Sequence, residues 1–176
     1  ILNLEKKINI SSNNKNLLLQ ALTHKSSNIE FNNEKLEFLG ARVIGLILSK
    51  KLFDLYPKVS EGILDKRFAK LVNRKTCSSI AWRLHLQNFI ILGDTHKKIK
   101  KTDEKILSDS CEALIAVIYL EKGFTFTEKF VLKLWKKELN ESNVTIIDPK
   151  TKLQEHSLKL YKKLPIYKHE FSKGPQ

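Results

Sequence analysis

The sequence predicts an all-α protein, and three observations carry that expectation. Apolar residues recur at three- and four-residue steps along most of the chain, the spacing that stacks side chains on one helix face. The run ALIAVIYL, residues 113–120, is apolar on every side and predicts a helix buried all round. Boundary signals punctuate the periodic stretches: a proline at 57, a serine at 60 and the run TFTE at 125–128.

Taken in order, Lys15 to His24 reads as a short helix with Leu18 and Leu22 inward. A long helix runs from about Asn33 to Leu55 and stops before Pro57, because proline disfavours helix in the residue before it. Its core stripe is Leu36, Leu39, Val43, Leu46 and Ile47. Phe38, Ile44 and Leu48 fall outside that stripe, so the helix calls for cover on both sides, from its own domain and from a second copy. A helix buried centrally within one domain is the alternative. Another helix starts near Ser60, an acceptable N-cap, with Leu64, Phe68, Leu71 and Val72 facing in, and a further one covers Lys75 to Leu86. GDTHKKIKKT, residues 93–102, breaks the pattern as a basic loop. The next helix contains ALIAVIYL. The last of the block opens on Thr125 and Glu128, which match a capping box, and runs to about Leu139. NESNVTIIDPK then has linker chemistry, with Asp148-Pro149 marking a new start. The expected organisation is a main domain at 1–139, a linker at 140–147 and a second piece at 148–176.

Composition narrows function. The net charge of +13 and pI near 9.7 favour a polyanionic partner, nucleic acid or an acidic membrane surface. No apolar stretch reaches the roughly 20 residues that span a bilayer, and no signal peptide is visible. The two cysteines, Cys77 and Cys111, form no Cys-x-x-Cys pair and the five histidines are scattered, which argues against zinc and for reduced core thiols. The chain has no methionine and begins at Ile1, so it is expected to be a fragment.

The chemistry sits in two acidic pairs beside apolar helix. In EKLEFLGARVIGL, residues 34–46, Glu34, Glu37 and Ala41 share one stripe, an acidic face with a gap. In SDSCEAL, Asp109 and Glu112 share a face opposite Leu107, Cys111, Leu114 and Ile118. Taken alone, that second pair reads more simply as a solvated face, or as a cap with Asp109 at its head. If the two helices pack side by side, Glu37, position 41, Asp109 and Glu112 converge on one hollow. Carboxylates forced together repel unless a cation neutralises them, and an all-oxygen set suits Mg²⁺ or Mn²⁺. In so basic a chain that points to phosphodiester hydrolysis, in which a metal polarises the phosphoryl oxygen and activates water.

EKLEFLG, SEG…LVN and ILSDSCEALIAVIYL, preceded by LLLQALTHKS, resemble the ribonuclease III signature in order and spacing over nearly the whole chain. The resemblance implies a helical endonuclease domain and a homodimer that cuts double-stranded RNA with magnesium, leaving 5′-phosphates, 3′-hydroxyls and short 3′ overhangs. It implies Glu37, Asp109 and Glu112 as metal ligands, with Glu112 central to the chemistry. Glu34 and Glu61 match accessory acids at the edge of the catalytic valley and the dimer interface. It further implies a cytoplasmic enzyme processing ribosomal, messenger and other structured RNA. One position departs: where the family has a catalytic-site aspartate, this chain has Ala41. The surroundings are intact, as one deliberate substitution would leave them, so an inactive or nearly inactive form of an active enzyme is expected. RNA binding should survive, since losing a carboxylate reduces repulsion of phosphate. The alternative is a non-catalytic double-stranded RNA-binding protein on the same fold. A carboxylate-metal redox bundle would need Glu-x-x-His pairs, and the sequence has none.

The tail, DPKTKLQEHSLK then LPIYKHEF and GPQ, resembles the start of an α+β double-stranded RNA-binding domain, a helix plus a strand, cut short at Gln176. The resemblance implies RNA contact through Thr151, Gln154 and Glu155, by shape and 2′-hydroxyls. Lys66, Arg67, Lys70 and Arg74 form a basic helical stripe, and HKKIKK at 96–101 a basic loop. Both are candidates for phosphate contact and hence for steep salt dependence, the stripe ahead of the loop.

Overall fold

The structure is a computed structural model and describes residues 2–8, 10–27, 29–93, 98–142 and 149–168. The chain divides into two compact units, residues 1–143 and 144–176. The first holds helices α1 (Leu2–Ile8), α2 (Lys15–Leu22), α3 (Glu34–Leu55), α4 (Glu61–Val72), α5 (Arg74–Arg83), α6 (Glu104–Leu134) and α7 (Lys136–Glu141). The second holds α8 (Pro149–Tyr161). The only β-type pairing among the described residues is a single bridge between Thr23 and Ile91, so the main unit is all-α as expected.

Helix α2 is capped by Asn14, whose side chain accepts from the Leu17 N–H at 3.0 Å. It ends at Leu22, where Thr23 turns extended to meet Ile91. The Asn33 N–H donates to the Thr23 carbonyl at 2.9 Å, which ties the start of α3 to the end of α2. Along α3 the buried positions are Leu36, Gly40, Val43, Ile44, Ile47, Leu48 and Leu52. Two expectations therefore change: Ile44 and Leu48 belong to the domain's own core, and Leu46 lies 59% exposed. The cause is Gly40, which lets α6 press on this side and centres the buried stripe there. The apolar face left over is Phe38, Leu46 and Phe53, exposed by 63%, 59% and 70%.

Helix α4 starts after Ser60, which makes no side-chain cap bond. Leu71 is buried, and Leu64, Phe68 and Val72 pack half-buried against the core. Asn73 then turns extended and caps α5, accepting from the Thr76 N–H at 2.8 Å. This helix ends at Arg83 and a separate 3₁₀ turn covers Leu86–Asn88. In α6 the run Ala113 to Ile118 is buried throughout, while Leu120 is exposed. The helix breaks at Gly123, whose φ of 75° favours glycine. The break precedes Thr125, so Thr125 and Glu128 lie inside the following helix and form no capping box. Trp135 interrupts the helix again. Its fully buried indole N–H donates to the Leu71 carbonyl at 2.9 Å and fastens α6 to α4.

Helix α7 carries regular structure through Glu141, two residues into the expected linker; 143–148 lie outside the described residues. In the second unit α8 takes the expected place. Residues 164–168 form no strand, and Ile166 is 91% exposed. A strand needs a neighbour to bond its backbone, and none exists among the described residues. Residues 169–176 lie outside them.

Candidate active site

Helices α3 and α6 meet backbone to backbone at Gly40. A Cβ at this position would stand 1.8 Å from the Glu112 carbonyl oxygen, so only glycine permits the approach. That contact fixes the site, because Glu37 and Ala41 flank Gly40 on α3 while Asp109 and Glu112 lie on the apposed turn of α6. The structure thus brings together three of the predicted acids and the gap between them.

Their electrostatics report the crowding. The Glu112 carboxyl is pushed up to about 7, first by burial and then by the charges of Glu37 and Asp109, against a weaker downward pull from the Ser108 hydroxyl and Lys105. The Glu37 carboxyl is also raised, by burial and then by the Asp109 charge. Asp109 is only 4% exposed, which settles against the solvated-face and N-cap alternatives, α6 having begun at Glu104. Lys105, one turn earlier, donates from Nζ to Asp109 Oδ2 at 2.9 Å. The buried His24 sets its Nε2 4.0 Å from the same oxygen. Its Nδ1 accepts the Ser26 N–H at 3.2 Å.

Ala41 lines a cavity of about 390 Å³ with Arg42, Gly45, Phe68, Cys77 and Glu112. The Arg42 guanidinium lies over the Phe38 ring, 4.5 Å from its centre. Burial, then the Glu112 charge, pushes the Cys77 thiol up to about 12, and burial raises Cys111 well above its ordinary value. Both are free, buried thiols and neither suits metal ligation.

The all-oxygen donors, partly buried and mutually repelling, fit a hard divalent cation in kind. They are incomplete in arrangement. Among the described residues no three His, Cys, Asp or Glu side chains converge closely enough to hold one ion. Asp109 is drawn to Lys105, and position 41 offers a methyl group.

The accessory acids stand apart. Glu34 is exposed and pairs with Lys25 at 3.2 Å, its charge still adding to the rise at Glu37. Glu61 lies on the wall of a second cavity of about 430 Å³, with Leu46, Phe53, Asp65 and Phe68. The basic stripe is broken. Lys66 and Lys70 are exposed on α4, but Arg67 turns inward and stacks over Tyr56 at 3.9 Å, its Nε and Nη1 buried. Arg74 follows the extended Asn73 and opens a different helix. In the basic loop Lys98, Lys100 and Lys101 are exposed, while residues 96 and 97 lie outside the described residues. Thr151, Gln154 and Glu155 share helix α8; Gln154 is half-buried, and the other two side chains lie outside the described residues.

Sequence reasoning passed over Gly40, Lys105 and His24. Two had signals: a glycine inside a strongly periodic helix usually has a packing reason, and a lysine four residues before an aspartate is a helix-surface pair. His24 had none, since its reach to Asp109 depends on the chain turning at Thr23.

Comparison with known proteins converges on one family. Residues 14–139 match the family model described as ribonuclease-III-like. Ribonuclease 3 of Pelagibacter ubique (strain HTCC1062) is 49% identical over 173 residues, 98% of this chain and 78% of that protein. Ribonuclease 3 of Campylobacter jejuni (strain RM1221) is 39% identical over 175 residues, again 98% and 78%. Among solved structures, the ribonuclease III nuclease domain from Campylobacter jejuni, described for structural flexibility in a region involved in dimer formation, superposes with a TM-score of 0.70. It is 39% identical and covers 78% of this chain and 96% of its own. Dicer from Pichia stipitis has a TM-score of 0.61 at 20% identity, covering 93% of this chain and 77% of its own, a likeness of fold alone.

Proposed function

The chain belongs to the ribonuclease III family, and from that premise we propose a metal-dependent endonuclease site for double-stranded RNA that Ala41 leaves one carboxylate short. The observation that carries this is the raising of Glu112 by Glu37 and Asp109, and of Glu37 by Asp109, beside a cavity lined by Glu112 and the bare methyl of Ala41. Glu37, Asp109 and Glu112 would hold Mg²⁺ or Mn²⁺. Once bound, such an ion supplies charge stabilisation at the phosphoryl oxygen and an activated water.

The chain's own residues do the rest. Burial in the α3–α6 crossing keeps bulk water from screening the acids. Lys105 holds Asp109 in place until a cation competes for it. Lys66, Lys70 and the exposed lysines at 98, 100 and 101 supply phosphate contacts whose strength falls steeply with salt. Products would carry 5′-phosphates and short 3′ overhangs, because two copies related by a two-fold axis present one site to each strand. The exposed face of Phe38, Leu46 and Phe53 on α3 is the surface for that second copy. Domains at 1–139 and 148–176 would share the work, α8 adding duplex contacts through Thr151, Gln154 and Glu155. The substrates are structured ribosomal and messenger precursors in the cytoplasm.

In this form the chain cuts poorly or not at all, and Ala41 is also the observation that favours the second reading, a non-catalytic binder of duplex RNA. Cleavage of a long RNA duplex with Mg²⁺ separates the two. The Ala41→Asp variant should release short 5′-phosphorylated fragments while the Ala41 chain releases none. An inert variant would leave only the binding protein.

A further inference from the structure

We infer that the cavity at the end of α5 is a binding site for one unpaired adenine nucleotide of an RNA strand. The inference rests on RNA being the partner, as proposed above, and needs neither the acids of the α3–α6 crossing nor cleavage. The cavity measures about 350 Å³, which leaves room for a base and several waters, each needing about 30 Å³.

One reversal of the chain builds it. Helix α5 ends at Arg83, and His85 takes a φ of 57°, uncommon for any residue but glycine. The chain then enters the 3₁₀ turn, which sets Gln87 and Asn88 on the same cavity as Trp82, with Ile90 and, from the basic loop, Lys98 and Ile99. The Trp82 indole and the two isoleucines make an apolar slot for a flat ring, and stacking on an aromatic side chain is how proteins hold unpaired bases. All three also pack half-buried on the core, which fixes the floor of the slot. Gln87 Oε1 is buried and meets no hydrogen-bond donor among the described residues, and a buried carbonyl gains from a donor that a ligand brings.

The class of base follows from that carboxamide. Adenine offers an exocyclic amine with N7 beside it, which a carboxamide matches with one acceptor and one donor. Guanine sets two acceptors on that edge, cytosine has no N7, and uracil has no amine to give. The lining holds no acid among the described residues, and Lys98 is exposed, with Lys100 exposed and Lys101 following, so the phosphate carried by the base meets a cation. In a duplex the bases are stacked and paired, which leaves a slot of this kind to loops, bulges and strand ends.

The test is titration of the intact chain with single-stranded hexa-adenylate, hexa-uridylate and free adenosine monophosphate, followed by tryptophan fluorescence. Trp135 is fully buried with its N–H held by the Leu71 carbonyl, so a stacked base acts on Trp82. Hexa-adenylate should quench with an affinity about tenfold above that of hexa-uridylate, and the preference should disappear in Gln87→Leu. Lys98→Ala should weaken both strands and lower the salt slope by about 0.7. Equal affinities for the two strands, or a preference that survives Gln87→Leu, would overturn the inference. Free adenosine monophosphate bound as tightly as hexa-adenylate would overturn the assignment to an RNA strand. If neither strand binds while a long RNA duplex does, the inference falls and the proposed function stands. A chain that binds no RNA at all would overturn both.

Discussion

Replacing Gly40 by alanine tests the packing that creates the site. An alanine Cβ would stand 1.8 Å from the Glu112 carbonyl oxygen and 2.5 Å from its carbon. These are backbone atoms in the middle of a buried helix, so no side chain can swing aside. To reach ordinary contact α3 and α6 must part locally by more than about 1 Å. A gap of that size forfeits a quarter to a half of each dispersion contact it opens, and overpacking of this kind costs about 1–3 kcal/mol, sometimes more. The contact is with backbone that cannot yield, which puts the overpacking cost at the upper end, about 3 kcal/mol. Alanine returns about 1 kcal/mol of helix propensity over glycine, so the net loss should be roughly 2 kcal/mol. For a chain of this size that is about 4–8 °C in melting temperature. Urea denaturation followed by circular dichroism measures it, with Gly62→Ala as control, since a Cβ at Gly62 meets nothing within 4 Å. The control should be neutral or slightly stabilised. In the Ala41→Asp background, Gly40→Ala should also weaken Mn²⁺ binding, because Glu37 moves away from Asp109 and Glu112. A Gly40→Ala protein as stable as its parent would refute the backbone-contact argument.

Four further outcomes are expected. Trp135→Phe leaves the Leu71 carbonyl without its buried donor and should cost about 2–3 kcal/mol, combining an unsatisfied acceptor with lost volume, read in the same denaturation experiment. Leu46→Glu charges the exposed face of α3; it should turn a dimer into a monomer in sedimentation velocity, and an unchanged mass would remove that face from the interface. The folded-state value of about 7 at Glu112 lies above its reference of 4.5, so the native state binds the extra proton and metal-free stability falls as pH rises from about 4.5 through 7. Glu112→Gln should flatten that fall, and parallel curves for both proteins would count against the crowding. Finally, Ala41→Asp should lower metal-free stability by roughly 1–2 kcal/mol, an ordinary single-site effect. A cation at about a hundred times its dissociation constant should recover about 2.7 kcal/mol, and melting curves with and without Mg²⁺ decide it.

Much of the fold was legible because apolar spacing and boundary residues act locally. Pro57 stops α3 by the backbone preference it imposes on the residue before it, and the run from Ala113 to Ile118 has no polar side to expose. What the sequence hid was rotational. Periodicity placed the core of α3 on Leu36, Leu39, Val43, Leu46 and Ile47. Leu36, Val43 and Ile47 are buried and Leu39 packs half-buried, but the buried line also takes in Gly40, Ile44 and Leu48 and leaves Leu46 exposed. Hydrophobicity gives glycine no weight, although its absent side chain decides which side another helix can approach. The acids were legible as pairs on two helices, because three-residue spacing is local. Their meeting depended on Gly40, and the approach of His24 to Asp109 depended on a loop that no periodicity describes. Arg67 failed as a surface cation for a related reason: a planar guanidinium stacks on an aromatic ring as readily as it meets phosphate, and Tyr56 lies within reach.

Position 41 is where stability and chemistry pull in opposite directions. Three carboxyl groups already crowd the α3–α6 crossing, two of them raised by burial and by their neighbours' charge, with Lys105 as a close counter-charge on the α6 side. A fourth carboxylate deepens that repulsion in the absence of metal and relieves it only when a cation is bound. An alanine there gains in the metal-free state what it gives up in the loaded one. This explains how the crossing at Gly40, the burial of Asp109 and the Ala113–Ile118 core remain intact around the gap. None of them depends on the side chain at position 41, whereas the metal affinity of the proposed function would. The fold tolerates Ala41 because, on that proposal, a carboxylate here would serve the cation rather than the core.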